Sequence, residues 1–273
     1  MSLRKLCRWL GVSRSWYYLR EKRKAIRAAK DKDLCAAIEA IVLEFGGYGY
    51  RRVVKELARQ VSKVNSKRVL RLMREENLLC QLKRRFVITT HSNHSNAVFK
   101  NLLKGKELTE PDQVWHADIT YVSLPKGFCY LATILDGYSR KCIGWKLSKR
   151  IDTELALGAL EKALASRQVK PGLTHHSDRG VQYTSLAYVS RLQEAGIAIS
   201  MSRRGNSYDN AKAESFMKTL KYEEVYVKEY QTYQEAADNI GEFIEKIYNT
   251  KRLHSSIGYL PPIEFEAAAI TAA

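Results

Sequence analysis

Apolar and polar residues follow different spacings in the two parts of this chain. Up to residue 88 the apolar residues have the spacing of amphipathic helices, and strand-like runs begin only at residue 114. Those runs are rich in aromatic and β-branched residues, alternate with polar positions and are separated by turn residues. The pattern therefore predicts a helical region followed by a sheet, with strands at 114–122, 128–135 and 142–147.

Two patterns in the helical region are typical of a helix-turn-helix. The first has helices at 3–10 and 14–19, with a glycine in the turn and Ser13 as the cap of the second helix. The second begins with helices at 33–45 and 50–60, which a glycine-rich segment separates. The first 88 residues are therefore predicted to be a helical DNA-binding region.

A further helix, predicted at 67–76 with Asn65 and Ser66 as its cap, is the candidate recognition helix. Its apolar residues are expected to face inward and its basic residues to spread around the outer surface. The apolar set is Val69, Leu70, Leu72 and Met73, and the basic set is Lys67, Arg68, Arg71 and Arg74. Such a helix either reads DNA or is a solvated basic helix that only packs.

Residues 89–113 are polar and weakly periodic, which is typical of a linker. The elements predicted after the first three strands are a helix at 153–166, a strand at 173–177, a helix at 186–195, a strand at 197–201 and a helix that carries Glu214. This order predicts an α/β fold, with helices flanking a mixed five-stranded sheet. The expected domains are residues 1–88, 89–113 and 114–273, the last ending in a helical tail.

The helical region and the rest of the chain also differ in net charge. The chain has 46 Lys and Arg against 29 Asp and Glu, a net charge of +17. Residues 1–88 hold 23 of the basic residues against 8 acidic ones, so a balance of +15 lies in the helical region and +2 in the rest. A basic excess this concentrated indicates a polyanionic partner such as DNA, because binding releases counterions from the phosphates. Charge alone leaves RNA and non-specific adhesion open.

Composition narrows the class of protein further. The chain has no run of about twenty apolar residues and no signal-peptide block, so we expect a soluble cytoplasmic protein without a membrane partner. Its five Cys are odd in number and scattered, which predicts reduced core residues.

Three carboxylates carry the candidate chemistry. Asp118 lies within a predicted strand, where Asp is disfavoured, and Asp178 follows the end of another, where sheet-based sites usually lie. Glu214 follows on a helix, with 35 residues between it and Asp178. Phosphodiester bonds resist attack, and enzymes commonly hold two divalent cations on carboxylates to activate the nucleophile and stabilise the leaving oxygen. The three residues are therefore a candidate metal triad.

The helix of Glu214 is predicted to present a polar face. Asn210 and Lys221 lie four residues before and seven residues after Glu214, so the three fall on nearly one face. Residues 207–210 are expected to cap this helix. Its apolar stripe is predicted to consist of Ala213, Phe216, Leu220 and Val227.

Plainer interpretations exist for each of these residues. Asp178 is also a common turn residue, and Glu214 is also typical of a solvated helix face. Asp136 is better explained by a hairpin turn than by a metal site. His175 and His176 have no partners at the spacing of a zinc site, which favours a structural role.

The spacing of the triad resembles the catalytic core of the DDE transposases and retroviral integrases. The sequence motifs around the triad are similar to those of the second-frame protein (OrfB) of bacterial insertion sequences of "family three". They are His-Ser-Asp178-Arg-Gly-Val-Gln-Tyr-Thr-Ser, Met201-Ser-Arg-Arg-Gly-Asn-Ser-Tyr-Asp-Asn210 and Tyr248-Asn-Thr-Lys-Arg-Leu-His254, and the likeness covers about residues 30 to 266.

This resemblance implies a ribonuclease-H-like core in which Asp118, Asp178 and Glu214 hold two Mg²⁺ or Mn²⁺ ions. It implies that Asn210 and Lys221 lie beside the site, with Lys221 on a DNA phosphate. The implied partners are the terminal inverted repeats, the target DNA, further copies of the chain on DNA, and a first-frame (OrfA) protein or fusion. The implied location is the bacterial cytoplasm, in association with the nucleoid through DNA.

The sequence allows two different roles for each of two basic segments. Arg203 and Arg204 lie in a loop that either closes on DNA or is a plain turn with exposed charge. Arg252 and His254 either touch DNA or lock the tail of the chain against the core.

The expected function is that of a DNA transposase. A metal-activated water nicks each end of a mobile element, and the exposed 3′-hydroxyl then attacks another phosphodiester. One alternative is a DNA-binding regulator with an inert catalytic fold, against which the intact triad argues. Another is a ribonuclease-H-type nuclease without strand transfer, which shares the same site and metals.

Overall fold

The protein consists of two compact units, Met1–Gln81 and Leu82–Ala273. The structure is a computed structural model that describes residues 2–60, 63–80, 98–203 and 207–272. In these ranges no helix combines the length and the apolar composition that a membrane span requires. Each unit is described in turn.

Four helices build the described part of the first unit. They are α1 (Leu3–Trp9), α2 (Arg14–Glu44), α3 (Tyr50–Gln60) and α4 (Ser66–Glu75). The predicted caps are confirmed, since Ser13 accepts a hydrogen bond from Trp16 N at 2.9 Å and Asn65 accepts one from Lys67 N at 2.8 Å. The prediction of separate helices at 14–19 and 33–45 is wrong, because both belong to α2. No Gly or Pro lies between them, and the intervening residues are mostly good helix formers.

An ion-pair cluster joins α4 to α2. Asp31 of α2 is buried, and it pairs with Arg68 at 2.6 Å and with Arg71 at 2.5 Å. These two arginines are therefore half-buried beside α2 and not fully on the outer surface as predicted, whereas Lys67 and Arg74 are exposed as predicted. The buried Asp31 decides the difference, because a carboxylate taken out of water requires cationic partners.

The second unit is built on a five-stranded mixed sheet in the order β3-β2-β1-β4-β5. Its strands are β1 (Val114–Leu124), β2 (Gly127–Asp136), β3 (Cys142–Ser148), β4 (Thr174–Ser177) and β5 (Ala198–Met201). The first three form the predicted antiparallel meander, and the pairs β1·β4 and β4·β5 are parallel. The expected α/β architecture is therefore confirmed.

Helices cover both faces of this sheet. They are α5 (Thr153–Ser166), α6 (Leu186–Glu194), α7 (Ala211–Leu220), α8 (Tyr226–Lys228), α9 (Tyr233–Glu242) and α10 (Pro262–Ala272). A 3-10 turn, Ser207–Asn210, precedes α7, and π-helical turns follow α7 at Lys221–Val225 and α9 at Phe243–Tyr248. One apolar cluster joins the sheet to α5 and α6, and another joins it to α7 and α9.

The apolar stripe of α7 differs from the prediction at its end. Ala213, Phe216 and Leu220 are buried, but Val227 is 69% exposed and Val225 is buried in its place. The π-helical turn accounts for this, because its wider i to i+5 spacing changes the phase of the side chains that follow.

The described part of the expected linker packs against the core. Phe99 joins the apolar cluster that includes α5 and α6, and Leu102 N donates to Ser200 Oγ at 2.9 Å. Asp112 N donates to Asp136 Oδ2 at 2.7 Å. Asp136 also accepts bonds from the turn that follows it, so its structural interpretation is confirmed. Residues 81–97 lie outside the described ranges.

The tail of the chain is locked to the core. Arg252 is only 2% exposed and forms two 2.6 Å hydrogen bonds with the carboxylate of Glu223. His254 is also buried. Of the two roles left open for these residues, the described contacts favour locking the tail.

All five Cys are free thiols. Cys7, Cys129 and Cys142 are buried as predicted, whereas Cys35 and Cys80 are half-buried.

We predict that Gly144→Ala lowers the free energy of unfolding of the core unit by about 3 kcal/mol or more. Gly144 lies on β3 under α5, where an added Cβ overlaps the carbonyl oxygen of Ala159 and lies 2.8 Å from the backbone nitrogen of Ala163. Helix backbone cannot move aside as a side chain does. Denaturant unfolding of purified protein measures the effect.

The matched control is Gly158→Ala, on the helix side of the same interface. Its added Cβ lies 3.1 Å from Cγ of Lys146, a flexible side chain that can turn away. Alanine also favours a helix over glycine by about 1 kcal/mol, so we expect no net loss of stability. Equal unfolding midpoints for the two variants would contradict the close approach of β3 and α5.

Candidate active site

Strand pairing brings Asp118 and Asp178 together. β1 and β4 are parallel neighbours, with Val114 opposite Thr174 and His116 opposite His176. Extending this register by two residues sets Asp178 at the level of Asp118, and neighbouring strands lie about 4.8 Å apart. The two carboxylates therefore belong to one site, although they are separated by 60 positions in the sequence.

Asn210 ties the start of α7 to β1 beside this site. Its Nδ2 donates to the carbonyl oxygen of Ala117 at 2.9 Å, and its Oδ1 lies 3.1 Å from His116 Nδ1. Because the amide oxygen can only accept, the proton of His116 is assigned to Nδ1. The expectation that the Asn210 side chain caps α7 is wrong, because it forms no cap hydrogen bond. Asn210 is only 4% exposed, so little of its surface is available to a ligand.

Glu214 follows one turn later on α7 and is exposed. Its charge reaches the site, since the pKa of Asp118 is raised to about 8 by burial first, then by the charges of Asp178 and Glu214. Partial desolvation of its carboxylate also raises the pKa of Glu214, although the residue as a whole is exposed. The surroundings of Asp118 and Glu214 therefore disfavour their negative charge.

Lys221 adds a positive charge to this group. Burial lowers its pKa, and the charge of Asp118 acts in the opposite direction. Its Nζ lies 4.2 Å from the ring centroid of Tyr121, three residues after Asp118 on β1. Sequence analysis missed Tyr121 and His116, although both occur in the predicted strand at 114–122 that carries Asp118.

No metal centre is preformed in the described ranges. They contain no group of three or more His, Cys, Asp and Glu side chains that is placed to hold a metal ion. The structure brings Asp118 and Asp178 together and sets Glu214 on the adjoining helix, but it does not close the triad.

The two neighbouring histidines of β4 have the structural role that was predicted. His175 Nε2 bonds to Tyr188 Oη at 2.9 Å, and His176 bonds to Ser200 and Ser202 at 2.8 and 3.1 Å. Burial lowers the pKa of His175 to about 3 and that of His176 to about 4, so both are neutral near pH 7.

The basic loop before α7 is only partly described. Arg203 is exposed and pairs with Asp209 at 3.1 Å, and Arg204 lies outside the described residues. The other expected DNA contacts, on α4, belong to the first unit.

Models of known protein families match the helical part and the sheet-containing part of the chain separately. Integrase core domain models match residues 109–207 and 195–262, and a helix-turn-helix-like domain model matches residues 28–86. The 31 kDa protein of insertion element IS600 from Shigella sonnei is 41% identical, over 95% of this chain and 97% of its own length. Transposase InsF of insertion sequence IS3A from Escherichia coli K12 is 34% identical, over 97% of this chain and 94% of its own length.

The chain belongs to the IS3 family of insertion-sequence transposases. The resemblance inferred from the motifs is confirmed. Among solved structures, the catalytic core domain of BIV integrase matches with a TM-score of 0.45 at 17% identity, covering 59% of this chain and 97% of that one.

Family membership establishes the class of reaction. This transposase is a polynucleotidyl transferase of the DDE type, and it binds DNA. Cores of this type work with divalent metal ions.

We predict that Asn210→Ala lowers stability by about 1–3 kcal/mol and also reduces strand transfer at temperatures far below unfolding. Removing the amide leaves His116 and Ala117 without their partner and frees the start of the helix that carries Glu214. Thermal unfolding and strand-transfer rates are measured on the same preparation.

Asn249→Ala is the matched control. Asn249 is equally buried and bonds the N–H and carbonyl of Cys142 on β3, both at 2.9 Å. We expect a similar loss of stability with little loss of strand transfer. Equal losses of strand transfer in the two variants would show that Asn210 has no specific effect on the site.

Proposed function

We propose that Asp118, Asp178 and Glu214 are the catalytic carboxylates of this transposase and hold two Mg²⁺ or Mn²⁺ ions. The observation that carries the proposal is the parallel register of β1 and β4, which sets Asp118 beside Asp178. The link from Asn210 to Ala117 adds Glu214 to the same end of the sheet.

The donor set fits such ions. Carboxylate oxygens are the ligands that hard divalent cations prefer. Burial, followed by the charges of Asp178 and Glu214, raises the pKa of Asp118, and a bound cation would offset these effects. When bound, the ions activate the attacking oxygen and stabilise the leaving oxygen.

The remaining side chains hold the reacting groups. Asn210 and His116 fix the start of α7 on β1, so that Glu214 keeps its position relative to Asp118. Lys221 lies beside Asp118 with its ammonium over Tyr121, and we propose that it contacts a DNA phosphate. Tyr121 limits the positions available to the ammonium group.

The proposed reaction has two steps at one site. Water attacks the phosphodiester at the end of the element, and the bond to the 3′-oxygen breaks to leave a 3′-hydroxyl. That hydroxyl then attacks a second phosphodiester, forming a new 3′ ester bond and releasing the displaced oxygen as a hydroxyl. Neither step requires a covalent bond to the protein.

We propose that residues 1–88 bind DNA and that residues 114–273 carry out catalysis. Residues 89–113 are proposed to be the linker between these two domains. On α4 the exposed Lys67 and Arg74 are the direct phosphate contacts. Arg68 and Arg71 contribute mainly through the Asp31 cluster, which holds the helix in place. Arg203 and Arg204, which precede α7 in the sequence, complete the proposed DNA contacts.

The proposed assembly contains more than one copy of the chain. Joining two element ends requires at least two catalytic sites, which favours a homo-oligomer on DNA that holds both terminal repeats and the target. We also propose a first-frame (OrfA) partner or fusion, in accordance with the motif resemblance.

We predict that Glu214→Gln abolishes strand transfer and leaves DNA binding unchanged, because the amide keeps the shape but loses the charge that binds a cation. The test is joining of a pre-nicked duplex carrying the element's end in Mn²⁺, with affinity measured in parallel. Glu194→Gln, an exposed change on α6, is the control and keeps full activity.

Each other outcome selects a different function. Activity of Glu214→Gln removes Glu214 from the site. Nicking by the wild type without joining favours a ribonuclease-H-type nuclease. The wild type can also show neither nicking nor joining, both alone and when fused to the first-frame protein. That result favours a DNA-binding regulator with an inert catalytic core.

We predict that Lys67→Gln combined with Arg74→Gln weakens DNA binding without changing the unfolding midpoint. Loss of two phosphate contacts should reduce the slope of log affinity against log salt by about 1.8. Arg68→Gln combined with Arg71→Gln removes the same charge but should lower the unfolding midpoint, because Asp31 loses both partners. An unchanged salt slope in the first variant would show that α4 does not meet phosphates.

A further inference from the structure

A basic groove adjoins the proposed catalytic site within the core unit. Its volume is about 510 Å³. One wall is the strap of residues 99–104, and the other comes from the ends of β4 and β5 and the turn before α7. The lining residues are Phe99, Lys100, Asn101, Leu103, Lys104, Arg179, Arg203 and Asp209.

The groove carries a net positive charge. Among the described residues, four cationic side chains line the groove against one carboxylate, that of Asp209, which pairs with Arg203. The hydrogen bond from Arg203 is the main reason that the pKa of Asp209 falls to about 2. Lys100 and Lys104 are exposed, and the described residues supply no ion pair for either. Their charges are therefore directed to solvent or to a ligand.

Local contacts hold the two walls in place. The strap is fixed by the bond from Leu102 N to Ser200 Oγ and by the packing of Phe99 on the core. The same Ser200 hydroxyl bonds to His176 Nδ1 at 2.8 Å, so the strap is connected to β4. On the opposite wall, Arg179 Nε donates to the carbonyl oxygen of Ser202 at 2.9 Å. Hydrogen bonds and apolar packing within the core therefore define the shape of the groove.

The position of the groove selects its ligand. Arg179 is the residue after Asp178, and Asp209 is the residue before Asn210, so the groove adjoins the site from the side of β4 and β5. Repeated cationic side chains next to a site that cleaves phosphodiesters match the phosphate backbone of nucleic acid.

We propose that this groove binds the phosphate backbone of the DNA strand next to the scissile phosphodiester, with Lys100 and Lys104 as its main contacts. The proposal rests on the proposed function, because it takes the reacting phosphate to lie at Asp118 and Asp178. Contacts from lysine to phosphate carry no sequence information, so the groove positions the strand without reading it.

The first experiment measures DNA affinity in EDTA over a range of salt concentrations. Lys100→Gln combined with Lys104→Gln should reduce the slope of log affinity against log salt by about 1.8, the value for two lost phosphate contacts. Lys126→Gln combined with Lys170→Gln removes the same charge at exposed positions of the core outside the groove. We expect the control to change the slope by less than half as much.

The second experiment locates the contact by ethylation interference on a duplex that carries the element's end. Ethylation of a few phosphates on one side of the joining site should weaken binding by the wild type and by the control. The groove variant should lose sensitivity at those phosphates alone. A slope and an interference pattern equal to the control would overturn the proposal.

The same assays separate this proposal from the catalytic one. Glu214→Gln should keep the wild-type salt slope and interference pattern, because the groove does not use that carboxylate. If Glu214→Gln stays active while the groove variant behaves as expected, the triad assignment fails and the groove stands. A slope that falls with no change in interference would indicate general attraction to a polyanion and would overturn the local contact.

Discussion

Parallel pairing of β1 with β4 is the constraint on which the catalytic end of the core depends. The pairing sets Asp118 and Asp178 at one level of the sheet, although adjacent carboxylates repel each other. Burial adds to that cost and is the largest cause of the raised pKa of Asp118. Backbone hydrogen bonds thus hold together side chains that would separate on their own. A cation at this place relieves the repulsion, which is the physical basis of the proposed metal site.

Polar side chains fix the helices and the tail on this frame. Asn210 joins α7 to β1, and Asn249 joins the end of the π-helical turn after α9 to β3. The paired hydrogen bonds between Arg252 and Glu223 hold the tail. A buried polar group is costly without its partner, so each link favours one placement of the element that carries it. Such links are suited to a site whose carboxylates must keep their mutual positions.

Positive charge has two different uses in this transposase. In the first unit, Arg68 and Arg71 neutralise the buried Asp31 and hold α4 against α2. In the core, Lys100 and Lys104 are exposed in a groove beside the proposed site. Residues 89–273 contribute only +2 to the net charge of +17, yet they contain this basic groove. Net charge by domain therefore indicates a polyanionic partner but does not locate the contacts.

Local sequence was sufficient for the element types and for the family. Strand-like runs predicted the meander, and α5 was predicted with the bounds that the structure has, because alternation and apolar stripes depend on neighbouring residues. The positions of Asp118 on a strand and Asp178 after one were likewise readable. Tertiary structure alone decided that these two lie side by side, that Asn210 bonds to β1, that Arg68 and Arg71 face Asp31 and that the strap closes a groove. Each of these depends on a partner distant in the sequence, and spacing along the chain carries no information about which distant partner a side chain meets.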